Sequence, residues 1–178
     1  MADRRTQLAE AALAVVAARG LKGLTHRAVD RATGVPPGTT SNHFRSRASL
    51  VAVVAERLEQ RDTELLEAFA GDGSPADVEA LAGDLADVVL ALTREHADLT
   101  RVRLALSLDQ PEAVTEAHRV LVSGLAGVLR VLAVPAAESR ARAVSDYTDG
   151  LLLHALTARR DEPLDHADIS TTILRLLR

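Results

Sequence analysis

Apolar residues recur at helical spacing along most of the chain. Between positions 6 and 19 they fall at intervals that place them on one face of a helix; they are Leu8, Ala11, Ala12, Val15 and Val16. The same period returns in later segments, which glycine and proline residues separate. The pattern predicts about nine helices, near residues 6–19, 25–33, 36–44, 47–69, 75–96, 98–108, 111–132, 135–159 and 166–177.

Two breaks in this pattern stand out. Gly20 can adopt the left-handed conformation that closes a helix, so it is expected to end the first one. The stretch GDGSP at 71–75 is the clearest interruption. A cap, a proline and an acid begin the helix after it; they are Ser74, Pro75 and Asp77.

The composition favours an all-α protein with an aliphatic core. Hydrophobic residues make up 47% of the 178 positions, whereas aromatic residues make up only 2%. Strands favour aromatic and β-branched residues, but Ala and Leu favour helices. The length allows one large domain or two small ones. Because the chain has no cysteine, disulfides, thiolate zinc sites and a thiol nucleophile are excluded.

Nothing in the sequence indicates export or a membrane partner. No long apolar run follows the charges of the N-terminus, so no signal peptide is expected. The longest apolar run, near position 151, is far shorter than the ~20 residues of a membrane span. These features predict a cytoplasmic protein.

The charge is distributed unevenly. Residues 1–50 carry eight Lys or Arg side chains against three acids, a net charge of +5, while the whole chain carries −4. Residues 51–178 therefore carry −9. A basic head on an acidic body indicates a local surface for a polyanion.

Within the basic head, residues 24–50 have the spacing of a helix-turn-helix. Thr25 is placed to cap a short helix, and Gly34 supplies a tight turn after it. Val35 and Phe44 are expected to tie the next helix to the core. The inner face of the helix at 25–33 is predicted to carry Ala28, Val29 and Ala32.

The second helix of this pair is almost entirely polar. Pro36 or Pro37 is expected near its first turn, and hydrogen-bonding side chains fill positions 39–43. Such a helix gains little from burial, so its outward face serves another purpose. Asn can bond an adenine edge in two places, and Thr can contact a thymine methyl or a phosphate. Arg45 and Arg47 follow, where charge and backbone N–H groups favour phosphate.

The segment LTHRAVDRATGVPPGTTSNHFRSRASL, residues 24–50, resembles the DNA-binding signature of the TetR family of bacterial transcriptional regulators. The match extends over about residues 5–55; beyond it only length and helical character agree. The resemblance implies an all-α fold in which residues 1–50 form a three-helix DNA-binding domain. A long helix joins it to a helical domain for dimerisation and effector binding, residues 51–178.

The resemblance implies which side chains contact DNA. The candidates are Thr25, Arg27, Pro37, Thr39, Thr40, Ser41, Asn42, His43 and Arg47. Pro37, Thr39 and Asn42 would face base edges. Ser41 stands where the family usually has Tyr, so the contact of an aromatic ring with the DNA strand is lost.

Other implied contacts go to the DNA backbone. Thr25 would bond a phosphate, and Arg27 a phosphate or a base edge. His43 and Arg47 would hold the backbone. Arg47 stands where Lys is usual, which keeps the charge but changes the donor geometry. Both departures from the family pattern are expected to change the operator rather than the function.

The resemblance also implies a homodimer in which the last two helices of each subunit pack as a four-helix bundle. Apolar stripes on these helices are compatible with it; they comprise Val144, Thr148, Leu151, Leu152 and Ala155, then Ile169, Ile173, Leu176 and Leu177. A core role within a monomer is the alternative for both stripes. Two-fold symmetry would double the short site that one recognition helix reads.

Regulators of this family usually hold a small effector among the middle helices of the body. Polar residues inside apolar helices are the candidate contacts: His96, Arg103, His118, Tyr147 and His154. His154 lies in LLLHAL, where a solvated face is not expected; a core or dimer-interface role is its alternative. The scarcity of aromatic residues predicts a small apolar effector. Close helix packing is expected at three glycines inside helices, Gly124, Gly127 and Gly150, and room for a ligand is the alternative.

Together these features predict a ligand-responsive repressor that acts as a homodimer on palindromic double-stranded DNA. No cofactor or metal is expected, because the six His are scattered without metal-binding spacing. The same absence argues against an enzyme. A helical interaction module or effector sensor without sequence-specific DNA binding is the alternative, which the loss of Tyr at position 41 favours and the presence of Arg27 and Asn42 opposes.

Overall fold

The chain is all-α in the computed structural model, which describes residues 3–70 and 75–178. These residues form nine helices and no strand. The helices are α1 Arg4–Gly23, α2 His26–Thr33, α3 Thr39–His43, α4 Arg47–Ala70, α5 Val78–Thr93, α6 Ala97–Asp109, α7 Glu112–Val131, α8 Ala137–Leu156 and α9 His166–Leu177. The predicted fold class is confirmed. None of the described helices has the length and apolar character that a membrane span requires.

The chain folds into two compact units. Unit 1 comprises Met1–Asp62 and Asp98–Thr115, and unit 2 comprises Thr63–Ala97 and Glu116–Arg178. These units do not follow the predicted division at residue 50, because α6 packs with the N-terminal helices and both α4 and α7 contribute residues to each unit. The functional division into residues 1–50 and 51–178 stays a prediction.

Unit 1 is built on an aliphatic core with one aromatic ring. The core joins side chains of α1, α2, α4 and α6 to Phe44, which is 2% exposed. Its fully buried members include Leu8, Val16, Leu24, Val29, Leu50, Val54, Leu99 and Leu106. At about 25 cal/mol per Å² of apolar surface, such burial is the main stabilising contribution to the unit.

Unit 2 has its own core, in which α5 packs against α9 and α8 packs against both. The apolar stripe of α9 is largely used here, since Ile169, Ile173 and Leu177 are buried. On α8, Val144 and Leu152 are buried as well. Most of the two stripes predicted for the dimer therefore supports the core of unit 2.

Several helix ends agree with the sequence, and others do not. Gly20 has φ 64° inside α1, so the predicted break occurs there, although a further turn of helix follows to Gly23. The helix predicted from position 75 begins later, where Asp77 accepts a hydrogen bond from the Ala80 N–H at 2.8 Å. The predicted cap Ser74 and most of GDGSP lie outside the described residues.

The glycines inside α7 and α8 do not mark close packing within the chain. A Cβ placed on Gly124, Gly127 or Gly150 would meet no atom within 4 Å. The prediction of close helix packing at these positions is therefore wrong for the contacts among the described residues.

Candidate nucleic-acid interface

Helices α2 and α3 form a helix-turn-helix. Thr25 caps α2 as predicted, its hydroxyl accepting a hydrogen bond from the Ala28 N–H at 3.1 Å. Gly34 ends the helix with φ 69°, the left-handed conformation that glycine adopts without strain. Val29 is buried on the inner face of α2, whereas Ala32 is exposed, so the predicted inner face is wrong at that position.

The turn holds the prolines outside α3. Pro36 and Pro37 precede Gly38, whose φ of 93° is not helical, and α3 begins at Thr39. Helix α3 therefore begins later than predicted, and both prolines lie in the turn just before it. Phe44 follows the helix and is buried in the core of unit 1, as predicted.

Two polar side chains of α2 hold the ends of α3. The Asp30 carboxylate is only 4% exposed and accepts hydrogen bonds from the N–H groups of Gly38 and Thr40, each at 2.8 Å. At the other end, Nε2 of His26 lies 2.6 Å from the carbonyl oxygen of Phe44. Because that oxygen accepts, Nε2 carries the proton and donates.

The pKa of Asp30 reflects this environment. Burial of the carboxylate raises its pKa, but the hydrogen bonds from Thr40 and Gly38 and the nearby His26 ring together lower it by more. The pKa therefore lies below its ordinary value, and the carboxylate is charged at neutral pH.

Thr40 is not available to DNA. Its side chain is fully buried, and its hydroxyl donates a hydrogen bond to Asp30 Oδ1 at 2.5 Å. The prediction of a DNA contact by Thr40 is corrected: one of the five polar positions of α3 turns inward, because a buried carboxylate on α2 provides the acceptor.

The outward face of α3 carries most of the other predicted residues. Pro37, Ser41, Asn42 and His43 are exposed, and Thr39 is half-buried. The side-chain amide of Asn42 has no hydrogen-bond partner within the described part of the chain. The Ser41 hydroxyl donates to the Gly38 carbonyl at 2.8 Å and the Thr39 hydroxyl to the Pro36 carbonyl at 2.7 Å. Asn42 is thus the side chain of this face that is freest to bond a ligand.

Exposed cations lie on the elements around α3. Arg27 and Arg31 of α2 and Arg45 after α3 are exposed. None of the three forms an ion pair or a hydrogen bond with the residues that the structure describes. These guanidinium groups are free to meet an anion, as DNA phosphate is.

Arg47 is engaged elsewhere. Its guanidinium donates from Nη1 to the Leu24 carbonyl and from Nη2 to the Leu21 carbonyl, both at 2.7 Å. Two of its five donors therefore bind carbonyls at the C-terminal end of α1, where a positive charge is favourable. The structure gives Arg47 a structural role that the sequence did not indicate.

The five candidate effector residues are divided between the two units. Arg103 belongs to unit 1, where its Nη2 donates to Asp62 and its Nη1 is buried without a hydrogen-bond partner. Burial raises the pKa of Asp62 by more than Arg103 lowers it. In unit 2, His96 and Tyr147 are half-buried, whereas His118 is exposed.

His154 is also exposed, which corrects the expectation that LLLHAL buries it. It lies in the last turn of α8, where the helix face turns to solvent. The structure has a cleft of about 420 Å³ and a smaller cavity of about 60 Å³, both in unit 1. Neither is lined by a candidate effector residue. Among residues 3–70 and 75–178, no group of three or more His, Asp or Glu side chains could hold a metal ion.

Sequence reasoning missed His26, Asp30 and the inward role of Thr40. The signal was present in part, since His26 and Asp30 are four residues apart and share one side of a helix. Their partners lie 18 and 10 residues further along the chain. Only the turn between α2 and α3 brings them together.

Comparison with solved structures identifies the fold. A member of the TetR family from Streptomyces coelicolor A3 matches with 25% identity and a TM-score of 0.80, over 99% of both chains. The multidrug binding protein EbrR, solved with ethidium, matches with 27% identity and a TM-score of 0.73, over 98% of both chains. A transcriptional regulator from Rhodococcus sp. Rha1 has the same fold at 22% identity, with a TM-score of 0.81 over 98% of this chain and 94% of that one.

No protein-family model and no curated protein matches the sequence. The structural neighbours are regulators and not enzymes. Their fold and the helix-turn-helix of unit 1 together support a DNA-binding regulator. The resemblance to the TetR family of transcriptional regulators is therefore confirmed, in a chain that shares their fold along its whole length.

Proposed function

We propose that this regulator is a ligand-responsive repressor, which binds a palindromic operator as a homodimer and reads it with α3. The observation that carries the proposal is the free amide of Asn42 on the outward face of a helix that is otherwise fixed to unit 1. A side-chain amide can bond N6 and N7 of adenine together, which distinguishes adenine from the other bases.

The surrounding residues support a phosphate-binding role. Arg27 and Arg45 are exposed cations without a protein partner among the described residues, and His43 is exposed at the end of α3. Contacts of this kind fix the register of a protein on the duplex without reading its sequence. Pro37, in the turn before α3, and Thr39, the first residue of α3, complete the proposed base-reading face with Asn42.

A homodimer through the last two helices is part of the proposal. Most apolar residues of α8 and α9 support the core of unit 2, but Leu153 of α8 is 40% exposed. Outside the last two helices, Val120 and Leu121 of α7 are 53% and 41% exposed and could extend the interface. These side chains, with the open space at Gly124, offer apolar surface for a second copy. Two copies would space their recognition helices about 34–36 Å apart, one turn of DNA.

The proposed effector is a small apolar molecule. The neighbour EbrR is a multidrug binding protein that was solved with ethidium and with proflavin. In this chain the core of unit 2 is aliphatic, with Tyr147 as the aromatic residue packed against it. Such a core suits a flexible apolar ligand better than a flat dye. An effector that binds more tightly to a state with low DNA affinity would release the operator.

The test is a binding assay on DNA that flanks the gene of this protein, with wild type and Asn42→Ala. We expect wild type to prefer one palindromic fragment over scrambled DNA, and Asn42→Ala to lose about tenfold or more of that preference, since one bidentate contact discriminates by about 1–3 kcal/mol. Gln110→Ala removes an exposed amide of the same unit and serves as the matched control. Wild type without any preference would support the interaction-module alternative instead.

A further inference from the structure

We propose that Asp30 is the positioning residue of the recognition helix: its carboxylate, from α2, caps the N-terminus of α3 and sets the angle at which Thr39 and Asn42 meet DNA. The inference rests on the proposed function of α3 as the base-reading helix. It assigns to a buried acid, which touches no DNA, a part in sequence preference.

Helix α3 is too short to fix its own orientation. The helix has five residues, little more than one turn, and forming a first turn is unfavourable for an isolated segment. Contacts with the rest of unit 1 must therefore hold its orientation. Of its own residues, Thr40 is the one that is fully buried, so apolar packing of the helix itself contributes little.

The N-terminus of α3 has no capping side chain of its own. The first amides of a helix lack an intrahelical partner, and a Ser, Thr, Asp or Asn at the preceding position usually provides one. Here that position is Gly38, which has no side chain. Asp30 takes its place from another helix, because Oδ1 accepts from the Thr40 N–H and Oδ2 from the Gly38 N–H.

The contact between Asp30 and the N-terminus of α3 requires a carboxylate. Three donors converge on its two oxygens, the two N–H groups and the Thr40 hydroxyl. An Asn at position 30 could accept at one oxygen only, and its NH2 group would face a backbone N–H. Unmatched donors in a buried site are expensive, so the N-terminus of α3 would move away.

The C-terminal end of α3 is also held by a side chain of α2. The His26 ring donates to the carbonyl oxygen of Phe44, the residue that ends α3. Thus α2 holds both ends of α3, and release of one end lets the helix pivot about the other. Thr39 precedes Thr40 directly, and the Asn42 N–H bonds the Gly38 carbonyl at 3.2 Å. Both base-facing side chains therefore follow any movement of the Gly38–Thr40 end.

The experiment compares the affinity of wild type and Asp30→Asn for the preferred fragment and for a scrambled one, at a temperature where circular dichroism shows both to be folded. We expect Asp30→Asn to lose at least tenfold affinity for the preferred fragment and less than twofold for the scrambled one. The exposed cations that hold phosphate are unchanged, so the salt dependence should keep its slope. A merely structural loss would lower both affinities together.

Asp165→Asn is the matched control, because Asp165 caps α9 in unit 2 through the Asp168 N–H at 3.1 Å. It should leave the ratio of the two affinities unchanged. If Asp30→Asn does not fold, Asp30→Ala combined with Thr40→Val replaces the polar pair by an apolar one; the double variant should fold and show the same loss of ratio.

An unchanged ratio in a folded Asp30→Asn, or in the folded double variant, overturns the inference and leaves the proposed function intact. An equal loss on both fragments overturns it as well. If wild type itself prefers no fragment, the proposed function fails, and the role of Asp30 in sequence preference fails with it. These outcomes are separate, since the wild-type measurement precedes every variant.

Discussion

At the scale of single residues, several side chains in unit 1 act in places where the amino-acid pattern alone does not put them. Arg47 donates to the Leu21 and Leu24 carbonyls, and Thr40 points inward to Asp30. Arg27, by contrast, is exposed and has no protein partner within the described part of the chain. The three residues were equivalent as candidate DNA contacts, and their surroundings separate them.

We therefore expect Arg47→Ala to affect stability and Arg27→Ala to affect DNA binding. Arg47→Ala removes two charge-assisted hydrogen bonds to backbone carbonyls, so we expect it to lower the free energy of unfolding by about 1–2 kcal/mol. Arg27→Ala should leave stability within about 0.5 kcal/mol, but reduce the slope of log affinity against log salt by about 1. Denaturant titration and DNA binding at several salt concentrations measure both. A reversed pattern, with Arg47→Ala changing only the slope, would contradict the assignment.

The pKa of Asp30 predicts a pH dependence of stability. The folded-state pKa lies below the ordinary value because hydrogen bonds to Thr40 and Gly38 outweigh the effect of burial. Its contribution is therefore complete above the pKa of an unfolded aspartate, about 4, and is lost as pH falls through the folded-state pKa. The difference in unfolding free energy between wild type and Asp30→Asn should be constant above about pH 5 and shrink in more acidic solution. A difference that does not depend on pH would mean that the charge of Asp30 is not what stabilises the contact.

At the scale of elements, the sequence was informative where a local signal determines the outcome. Thr25 caps α2 and Gly34 ends it, because each depends on neighbours within a few residues. Phe44 anchors the end of α3, as expected of an aromatic residue in a polar segment. The start of α3 was wrong for the opposite reason. Gly38 leaves the helical region with φ 93°, a conformation that is open to glycine and closed to proline. The carboxylate that holds this end of the helix, however, comes from Asp30, eight residues earlier.

Polar contacts between residues far apart in the chain could not be predicted from the sequence, for a related reason. Asp30 meets donors 8 and 10 residues away, and Arg103 meets Asp62 across 41 residues. Helical periodicity tells which residues share a face, but it does not tell which face of another helix lies opposite. The predicted burial of His154 failed on the same ground, since His154 is exposed and an apolar run does not reveal where a helix ends against solvent.

The Asp62–Arg103 pair between α4 and α6 is the clearest case for a double-mutant cycle. Burial raises the pKa of Asp62 despite its partner, and Arg103 Nη1 has no hydrogen-bond partner, so the pair is imperfectly compensated. We expect Asp62→Leu and Arg103→Met each to lower the unfolding free energy by about 2 kcal/mol, less than for a fully buried pair because both side chains are partly exposed. Asp62→Leu with Arg103→Met should stay within about 1 kcal/mol of wild type. Loss in the double variant equal to the sum of the two singles would show that the groups do not interact.

At the scale of the whole molecule, the predicted all-α fold agrees with the structure, but the predicted dimer surface agrees with it only in part. The all-α class could be predicted from Ala- and Leu-rich periodicity. The use of the α8 and α9 stripes in the core of unit 2 could not, because an apolar stripe has the same appearance whether it meets its own chain or a second copy. Leu153, Val120 and Leu121 are among the large apolar side chains that stay exposed, as are Leu108 and Val131.

That surface makes the proposed dimer testable. Leu153→Glu places a charge on the exposed apolar part of α8, and we expect it to shift the protein from dimer to monomer at micromolar concentration in analytical ultracentrifugation, since an unpaired charge in an interface is strongly disfavoured. Leu108→Glu is the control, because Leu108 of α6 in unit 1 is 81% exposed and lies outside the proposed interface. A dimer that persists in Leu153→Glu would exclude this part of α8 from the interface.

The central claim is that α3 reads a DNA sequence, and recovery of bound fragments from the source genome measures it directly. Wild type should enrich fragments that share one two-fold symmetric site, with half-sites separated by about one helical turn. Asn42→Ala should recover DNA without enriching that site, because the cations that hold phosphate remain. If wild type recovers DNA with no common sequence, or recovers none, α3 does not act as a recognition helix in this protein.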